Sequence, residues 1–166
     1  MRTLCAVIVS CVAAAAVAAE PQTLTGKVVA VADGDTLTLL DADNVQHKVR
    51  LHGIDAPERR QPFGTKAGDR LAELTKGKAA TVNVIGRDKY GRTLGRIEVG
   101  GQDVNRAMVA DGLAWHYVWF SDDARLAQAE RDARAARRGN GGPVRRTVGL
   151  RSGSRRSGRW AATGLS

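Results

Sequence analysis

The sequence predicts an α+β domain in which five short strands close into a small β-barrel with about three helices packed on it. Runs of alternating polar and apolar residues, each bounded by turn residues, recur along the chain. Segments with apolar residues at helical spacing interrupt and follow these runs. The resulting order is βββ-α-ββ-α-α, and five short strands with an inserted helix are typical of a small closed barrel.

The first three strands are predicted to form a meander. Thr25 to Ala32 is rich in β-forming residues and ends at the turn signal Asp33-Gly34, and residues 35–40 alternate Thr with Leu. Residues 41–44 (D-A-D-N) are predicted to form a turn, and apolar and polar residues alternate again over residues 45–51. The two turns therefore fold these strands against one another.

A helix and two further strands follow the meander. Apolar residues at helical spacing predict a helix from Phe63 to Leu74, with Gly77 as the stop. Residues 78–85 and 93–99 are predicted strands, joined by a turn at Asp88-Lys89-Tyr90-Gly91. These strands complete the five that the barrel requires.

The last part of the body is predicted to be helical. Val104, Ala107 and Met108 mark a short helix that ends near Gly112. Ser121 is predicted to cap a final helix that runs to about Arg138. The complete order of elements predicts an OB-fold barrel with these helices packed on it.

Both ends of the chain differ from the body, which we place at residues 20–139. Residues 1–19 have an Arg near the start, an apolar run and a final A-V-A-A, which is typical of a cleaved signal peptide. A lipoprotein signal at Cys11 and a buried N-terminal helix are the alternatives. Residues 140–166 contain six Arg and no acid, and their composition predicts disorder. This tail is either a phosphate-binding arm or a solvated extension.

Composition excludes several classes of protein. The chain has 166 residues and a net charge of +9, most of which comes from the tail, so its charge is no argument that the body binds nucleic acid. Both cysteines, Cys5 and Cys11, precede the body, which excludes a disulfide scaffold, a cysteine nucleophile and a zinc–cysteine site there. No apolar run reaches the roughly 18 residues of a transmembrane helix.

Three carboxylates and an arginine are predicted to converge at one end of the sheet. The turn after the second strand places Asp35 opposite a residue between 49 and 53, with Cβ atoms roughly 5 Å apart. Pro57 stiffens the backbone that carries Asp55 and Glu58. Arg50 lies in the same segment.

Such a cluster suits metal-assisted chemistry on a phosphate. Asp35 and Asp55 offer hard oxygen ligands, which favour Ca²⁺ over Zn²⁺, and a backbone carbonyl and waters would complete the shell. Arg50 and Arg92 would face an anion, since a guanidinium binds phosphate oxygens in a bidentate way. Glu58 is then a spare carboxylate that could activate water. The alternative for Arg50 is a structural ion pair with Asp55.

The chain resembles the staphylococcal nuclease (thermonuclease) family from Thr25 to about Gly139. The elements D-G-D-T at 33–36, R-x-x-x-x-D-x-P-E at 50–58 and D-K-Y-G-R at 88–92 occur in the family's order and spacing. The resemblance implies an OB barrel with helices and Ca²⁺-dependent hydrolysis of DNA and RNA that leaves 3′-phosphates.

The resemblance also implies a role for individual residues. Asp35 and Asp55 match the Ca²⁺-binding carboxylates, and Ala56 matches a ligand that binds through its backbone carbonyl. Glu58 matches the general base, and Arg50 and Arg92 match the phosphate-binding arginines.

Further matches concern nucleic-acid contacts. Lys89 and Tyr90 match groups near the terminal phosphate, although both are also ordinary turn residues. An aromatic side chain from residues 115–120 would stack on a base, which contributes roughly 1–3 kcal/mol per base. The candidates are Trp115, Tyr117 and Trp119.

The sequence therefore predicts a secreted or periplasmic Ca²⁺-dependent phosphodiesterase with little sequence preference. Single-stranded substrate is expected to be preferred, because stacking requires unpaired bases. No membrane attachment is expected after signal cleavage, and nothing requires more than a monomer. The alternative is a catalytically inactive OB-fold module that binds nucleic acid. A calcium-binding structural protein would leave Arg50 and Arg92 unexplained.

Overall fold

A computed structural model describes residues 22–139 of the chain. The predicted signal peptide and the predicted tail lie outside these residues, so both remain predictions. The strands are β1 Thr23–Val31, β2 Thr36–Leu40, β3 Gln46–Leu51, β4 Ile54–Asp55, β5 Ala79–Arg87, β6 Thr93–Val99, β7 Gln102–Asp103 and β8 Trp115–His116. The helices are α1 Gly64–Thr75, α2 Val104–Ala110 and α3 Ala124–Ala135.

Five of the strands form a closed ring. Antiparallel pairs join them in the order β3-β2-β1-β5-β6, and β6 then pairs in parallel with β3. This closing pair sets Val49 opposite Thr93 and Leu51 opposite Gly95. Each strand of the ring thus has two neighbours, so the ring has no free edge. The prediction of an α+β OB-fold barrel with three helices is confirmed.

The core fills the barrel and the space beneath the helices. Inward-facing side chains of the five ring strands are fully or almost fully buried, as the alternation in the sequence requires. The helices cover the barrel with further buried apolar side chains: Ala67 and Leu71 from α1, Met108 and Val109 from α2, and Leu126 from α3. Burial of each larger side chain contributes about 1.5–3 kcal/mol, which stabilises the frame that carries the site.

One buried amide joins α2 to the barrel. Asn105 accepts a hydrogen bond from the backbone N–H of Ile97 at 3.0 Å and donates one to the carbonyl of His52 at 2.9 Å. This side chain is 1% exposed, so its hydrogen bonds do not compete with water.

Among residues 22–139, no helix is both long enough and apolar enough to cross a bilayer.

The final helix differs from its prediction at both ends. Ser121 is not the N-cap. Asp123 has that position, and its side chain accepts a hydrogen bond from the backbone N–H of Arg125 at 2.9 Å. The Ser121 hydroxyl instead accepts from the backbone N–H of Asp123 at 3.2 Å. The helix also stops before Arg138, because Arg137 adopts a left-handed conformation with φ 52°.

The Asp123 cap gives a first testable prediction. Its carboxylate also pairs with Arg96 of β6 at 2.7 Å, so it joins α3 to the barrel. The hydrogen bond from Arg125 lowers the pKa of Asp123 to about 2, and the charges of Arg96 and Arg125 add to this effect. We expect Asp123→Ala to lower the free energy of unfolding by about 1–2 kcal/mol at pH 7.

This loss should depend on pH in a defined direction. An unfolded Asp ionises near pH 3.8, so the contribution of Asp123 is complete above that pH and is lost as the pH falls towards 2. Urea unfolding of both proteins across this range measures the difference. The exposed neighbour Asp122 provides the control Asp122→Ala, and equal losses in the two variants would contradict the capping role.

Candidate functional site

Asp35 lies at the end of the barrel where β2 begins. Its backbone carbonyl accepts a hydrogen bond from Leu51 N–H at 2.8 Å, and the neighbouring Thr36 pairs with Arg50 across the sheet. Asp35 therefore lies beside the segment that the sequence predicted. Its side chain is 4% exposed and accepts hydrogen bonds from the Thr36 hydroxyl at 2.9 Å and from Ala56 N–H at 3.3 Å.

The Arg50 guanidinium joins two of the predicted carboxylates. Its Nη1 donates to Asp35 Oδ1 at 3.1 Å, and its Nη2 donates to Asp55 Oδ1 at 2.9 Å. The structural ion pair considered for Arg50 is thus present, and it extends to Asp35. Burial alone would lower the pKa of Arg50, but Asp35 and Asp55 outweigh it and raise that pKa, so Arg50 stays cationic.

Burial makes the Asp35 carboxylate costly to ionise despite this ion pair. Burial raises the pKa of Asp35 to about 6, Arg50 offsets only part of this effect, and the nearby Asp33 adds to it. The Asp33 carboxylate is used locally, since it accepts a hydrogen bond from Asp35 N–H at 3.1 Å. A carboxylate that is costly to ionise in the folded state is one that a bound cation would stabilise.

The oxygen atoms around Asp35 suit a hard cation. Asp55 is half exposed, which leaves space for an ion and its waters, and the carbonyl of Ala56 is the third oxygen of the predicted set. Within residues 22–139 no group of three or more His, Cys, Asp or Glu side chains is placed to hold a metal. The predicted set needs only two carboxylates and one backbone oxygen, so the donor chemistry fits Ca²⁺.

A separate two-stranded ladder positions Asp55. Strand β4 pairs with β8, which sets Ile54 opposite His116 and Asp55 opposite Trp115. The following loop packs closely against Gly34. A Cβ at Gly34 would lie 2.7 Å from the Ala56 Cβ, which explains why this turn carries glycine.

Glu58 lies on the solvent side of this loop. Its backbone N–H donates to Gln61 Oε1 at 3.0 Å, which fixes the start of the turn that leads into α1. The turn requires glycine at position 64, because a Cβ there would overlap the Glu58 carbonyl. In the part of the chain that the structure describes, the Glu58 carboxylate has no hydrogen-bond or ion-pair partner, so it is free to accept a proton.

Arg92 is held by Asp88, which was predicted as a turn residue and not as part of the site. Asp88 Oδ2 accepts from Arg92 Nε at 2.7 Å, and Asp88 Oδ1 accepts from the backbone N–H groups of Tyr90 and Arg92 at 2.9 Å each. Asp88 therefore fixes both the turn and the arginine that follows it. The sequence feature that could have indicated this role is the position of Asp88 at the start of the D-K-Y-G-R element.

The two arginines share the outer surface of neighbouring strands. Arg92 directly precedes Thr93, which pairs with Val49, so Arg92 lies beside Lys48 and two residues along β3 from Arg50. No contact between the two guanidinium groups is present among the described residues. Lys89 and Tyr90 are exposed on the same turn, and the Arg92 guanidinium lies 5.6 Å from the Tyr90 ring centre.

The aromatic candidates differ in exposure. Trp115 is half-buried in the β4–β8 ladder beside Asp55, whereas Trp119 is 77% exposed. Tyr117 is attached to the ladder through its backbone N–H, which donates to the Gly53 carbonyl at 2.9 Å. Phe120, which the sequence analysis did not select, is also exposed and packs against Tyr117 with ring centres 5.0 Å apart.

Comparison with known proteins gives a consistent set of similarities. Residues 48–140 match the sequence model of the family described as Staphylococcal nuclease homologue. The chain is 40% identical over 125 residues to a protein called Micrococcal nuclease from Shigella flexneri, covering 69% of this chain and 71% of that protein. It is 40% identical over 115 residues to an uncharacterized endonuclease of Escherichia coli, covering 69% of this chain and 74% of that one.

Plant relatives are longer. The Staphylococcal-like nuclease CAN1 of Arabidopsis thaliana is 44% identical over 92 residues, which are 55% of this chain. This chain spans only 28% of the length of that protein, and the same share of a 38.1 kDa protein from Capnoides sempervirens.

Proposed function

The chain belongs to the staphylococcal nuclease family, and from this premise we propose that it is a calcium-dependent nuclease. It hydrolyses phosphodiester bonds of DNA and RNA with little sequence preference and leaves 3′-phosphate ends. The observation that carries the proposal is the shared guanidinium: Arg50 contacts both Asp35 and Asp55, so two carboxylates and a guanidinium lie together at one end of the barrel.

Three oxygen donors would hold the cation in this proposal. They are the carboxylates of Asp35 and Asp55 and the backbone carbonyl of Ala56. When bound, Ca²⁺ polarises a phosphoryl oxygen and stabilises the negative charge that develops on it.

The arginines bind and orient the scissile phosphate. Arg50 uses two of its five N–H donors on carboxylates, and Arg92 uses its Nε on Asp88, so both have donors left for phosphate oxygens. Charge-assisted hydrogen bonds of this kind strengthen as charge accumulates on the phosphorus oxygens.

Glu58 acts as the general base that accepts the proton of the attacking water. Its exposed and unpaired carboxylate accepts a proton as the water oxygen bonds to phosphorus. The bond from phosphorus to the 5′ oxygen then breaks, and the leaving oxygen takes up a proton. The products are a 3′-phosphate and a 5′-hydroxyl, which balances the addition of one water.

The substrate is single-stranded or locally unpaired nucleic acid. Exposed rings of Tyr117 and Trp119 supply stacking surfaces that paired bases cannot reach. The proposal also includes export to the periplasm or the exterior by residues 1–19, and action as a monomer. The export proposal rests on the sequence of the N-terminal segment alone.

A direct assay tests the function. Purified protein is incubated with a single-stranded DNA oligonucleotide in Ca²⁺ or in a chelator, and the new ends are identified by phosphatase sensitivity. We expect 3′-phosphate ends in Ca²⁺ and no cleavage in the chelator. Cleavage that survives chelation would overturn the metal assignment. Binding without cleavage in Ca²⁺ would instead identify an inactive OB-fold binding module.

A further inference from the structure

A basic cleft lies next to the proposed active site, on the outer face of the barrel. Its volume is about 390 Å³, at the lower end of the range of small-molecule pockets. Thr38 of β2 and Lys48 of β3 form one side, and Arg87, Tyr90 and Arg92 from the β5–β6 turn form the other. Because Thr93 of β6 also lines it, the cleft is formed by residues of four strands, β2, β3, β5 and β6, and by the turn between the last two.

The lining of this cleft carries positive charge and no carboxylate. Lys48, Arg87 and Arg92 all contribute to it, and its remaining members are neutral or His47. Two acids contact lining residues from outside the cleft: Asp41 Oδ2 lies 2.7 Å from His47 Nε2, and Asp88 accepts a hydrogen bond from Arg92 at 2.7 Å. Asp88 offsets the charge of Arg92, but Lys48 and Arg87 have no acidic partner among the described residues, and their net positive charge favours an anionic ligand.

Two of these cations have no role in the proposed chemistry. The Lys48 ammonium is exposed and has no hydrogen bond or ion pair with any residue from 22 to 139. Arg87 uses one N–H on the Gly91 carbonyl at 3.3 Å and keeps its other donors. Neither residue forms an ion pair within residues 22–139, so both charges are available to a ligand.

The cleft lies next along β3 to Arg50, the proposed ligand of the scissile phosphate. Lys48 and Arg50 are two residues apart on the same face of β3, which corresponds to roughly 6.6 Å along the strand. That step is comparable to the spacing of neighbouring phosphates in an extended nucleic-acid strand. Arg92 lines the cleft and also serves the proposed scissile site, so the two sites are continuous.

We propose that this cleft binds the phosphate and sugar of the nucleotide adjacent to the scissile linkage, with Lys48 and Arg87 as its phosphate ligands. The inference rests on the proposed nuclease function and extends it to a second subsite. It predicts that substrates longer than a dinucleotide gain affinity from this side of the barrel.

Salt-dependent binding provides the test. Lys48→Gln, Arg87→Gln and the double variant are titrated with a fluorescent single-stranded decanucleotide in a chelator, which prevents cleavage, over a series of salt concentrations. Each lost phosphate contact should reduce the slope of log K against log salt by about 0.7, and the double variant by about 1.4. Lys76→Gln, an exposed lysine at the end of α1, is the matched control and should keep the wild-type slope.

Cleavage kinetics in Ca²⁺ give a second measurement. For the double variant, we expect the fall in kcat/KM on the decanucleotide to exceed the fall on a dinucleotide about tenfold. Wild-type slopes in both single variants, or an equal loss in Lys76→Gln, would overturn the subsite. If wild-type protein cleaves nothing while the slopes still fall, Lys48 and Arg87 bind nucleic-acid phosphates as proposed and only the nuclease proposal fails.

Discussion

Replacing Asp35 with asparagine is expected to lower the rate of phosphodiester hydrolysis roughly a thousandfold, which corresponds to about 4 kcal/mol of transition-state stabilisation. The substitution removes the charge of the buried member of the proposed cation site and leaves a side chain of the same shape. Single-turnover cleavage of a single-stranded oligonucleotide in Ca²⁺ measures the effect. Asp43→Asn, in the exposed turn between β2 and β3, is the control and should keep wild-type activity.

Stability measurements separate loss of the cation from loss of the fold. Ca²⁺ at a hundred times its Kd should stabilise the wild-type protein by about 2.7 kcal/mol and leave the stability of Asp35→Asn unchanged.

Without metal, the raised pKa of Asp35 makes the stability of the folded protein depend on pH. The folded state retains its proton up to about pH 6, whereas the unfolded chain loses it near pH 3.8.

Metal-free wild-type protein should therefore lose stability relative to Asp35→Asn as the pH rises from about 4 to about 6. Thermal unfolding at several pH values, with and without Ca²⁺, gives both quantities. A Ca²⁺ response that persists in the variant would exclude Asp35 as a ligand.

Arg50→Lys is expected to reduce cleavage about a hundredfold, the loss typical of removing one well-placed donor to the developing charge. The planar guanidinium contacts Asp35 and Asp55 with separate nitrogens and still has donors for phosphate. An ammonium is a single point charge and cannot reproduce this fork. The variant should still fold, because a positive charge remains near Asp35.

Cleavage rate and urea unfolding of Arg50→Lys are compared with those of Arg60→Lys, an exposed arginine beyond the loop. We expect the control to be unchanged in both measurements. Full activity in Arg50→Lys would remove Arg50 from the proposed mechanism.

The sequence predicted most of the fold because periodic segments make up most of the barrel. Strand β6 has the predicted bounds, and the turn at residues 41–44 forms through Asp41, which accepts hydrogen bonds from the N–H groups of Asp43 and Val45. Strands β4, β7 and β8 were not predicted, because two residues cannot show a period. The cap of α3 was misassigned because three adjacent residues, at 121–123, all favour that position.

The part of the candidate site that could be predicted is the part whose position follows from strand pairing alone. The hairpin between β2 and β3 brings Asp35 beside Arg50, as its turn requires. The contact of Asp35 with Ala56 N–H comes instead from a loop that lies outside the hairpin. Likewise, the basic cleft was missed because Lys48 and Arg87 become neighbours only when β6 pairs with β3.

The proposed cation site is divided between two structural units of unequal strength. Arg50 belongs to the closed ring and Asp35 directly precedes β2, whereas Asp55 lies in a ladder of two residue pairs between β4 and β8 and is joined to the ring by Arg50. Local opening of that ladder would separate the two carboxylates while the ring stays intact. Inactivation by heat or denaturant would then be a reversible event that precedes global unfolding, and a bound cation would hold the ladder closed.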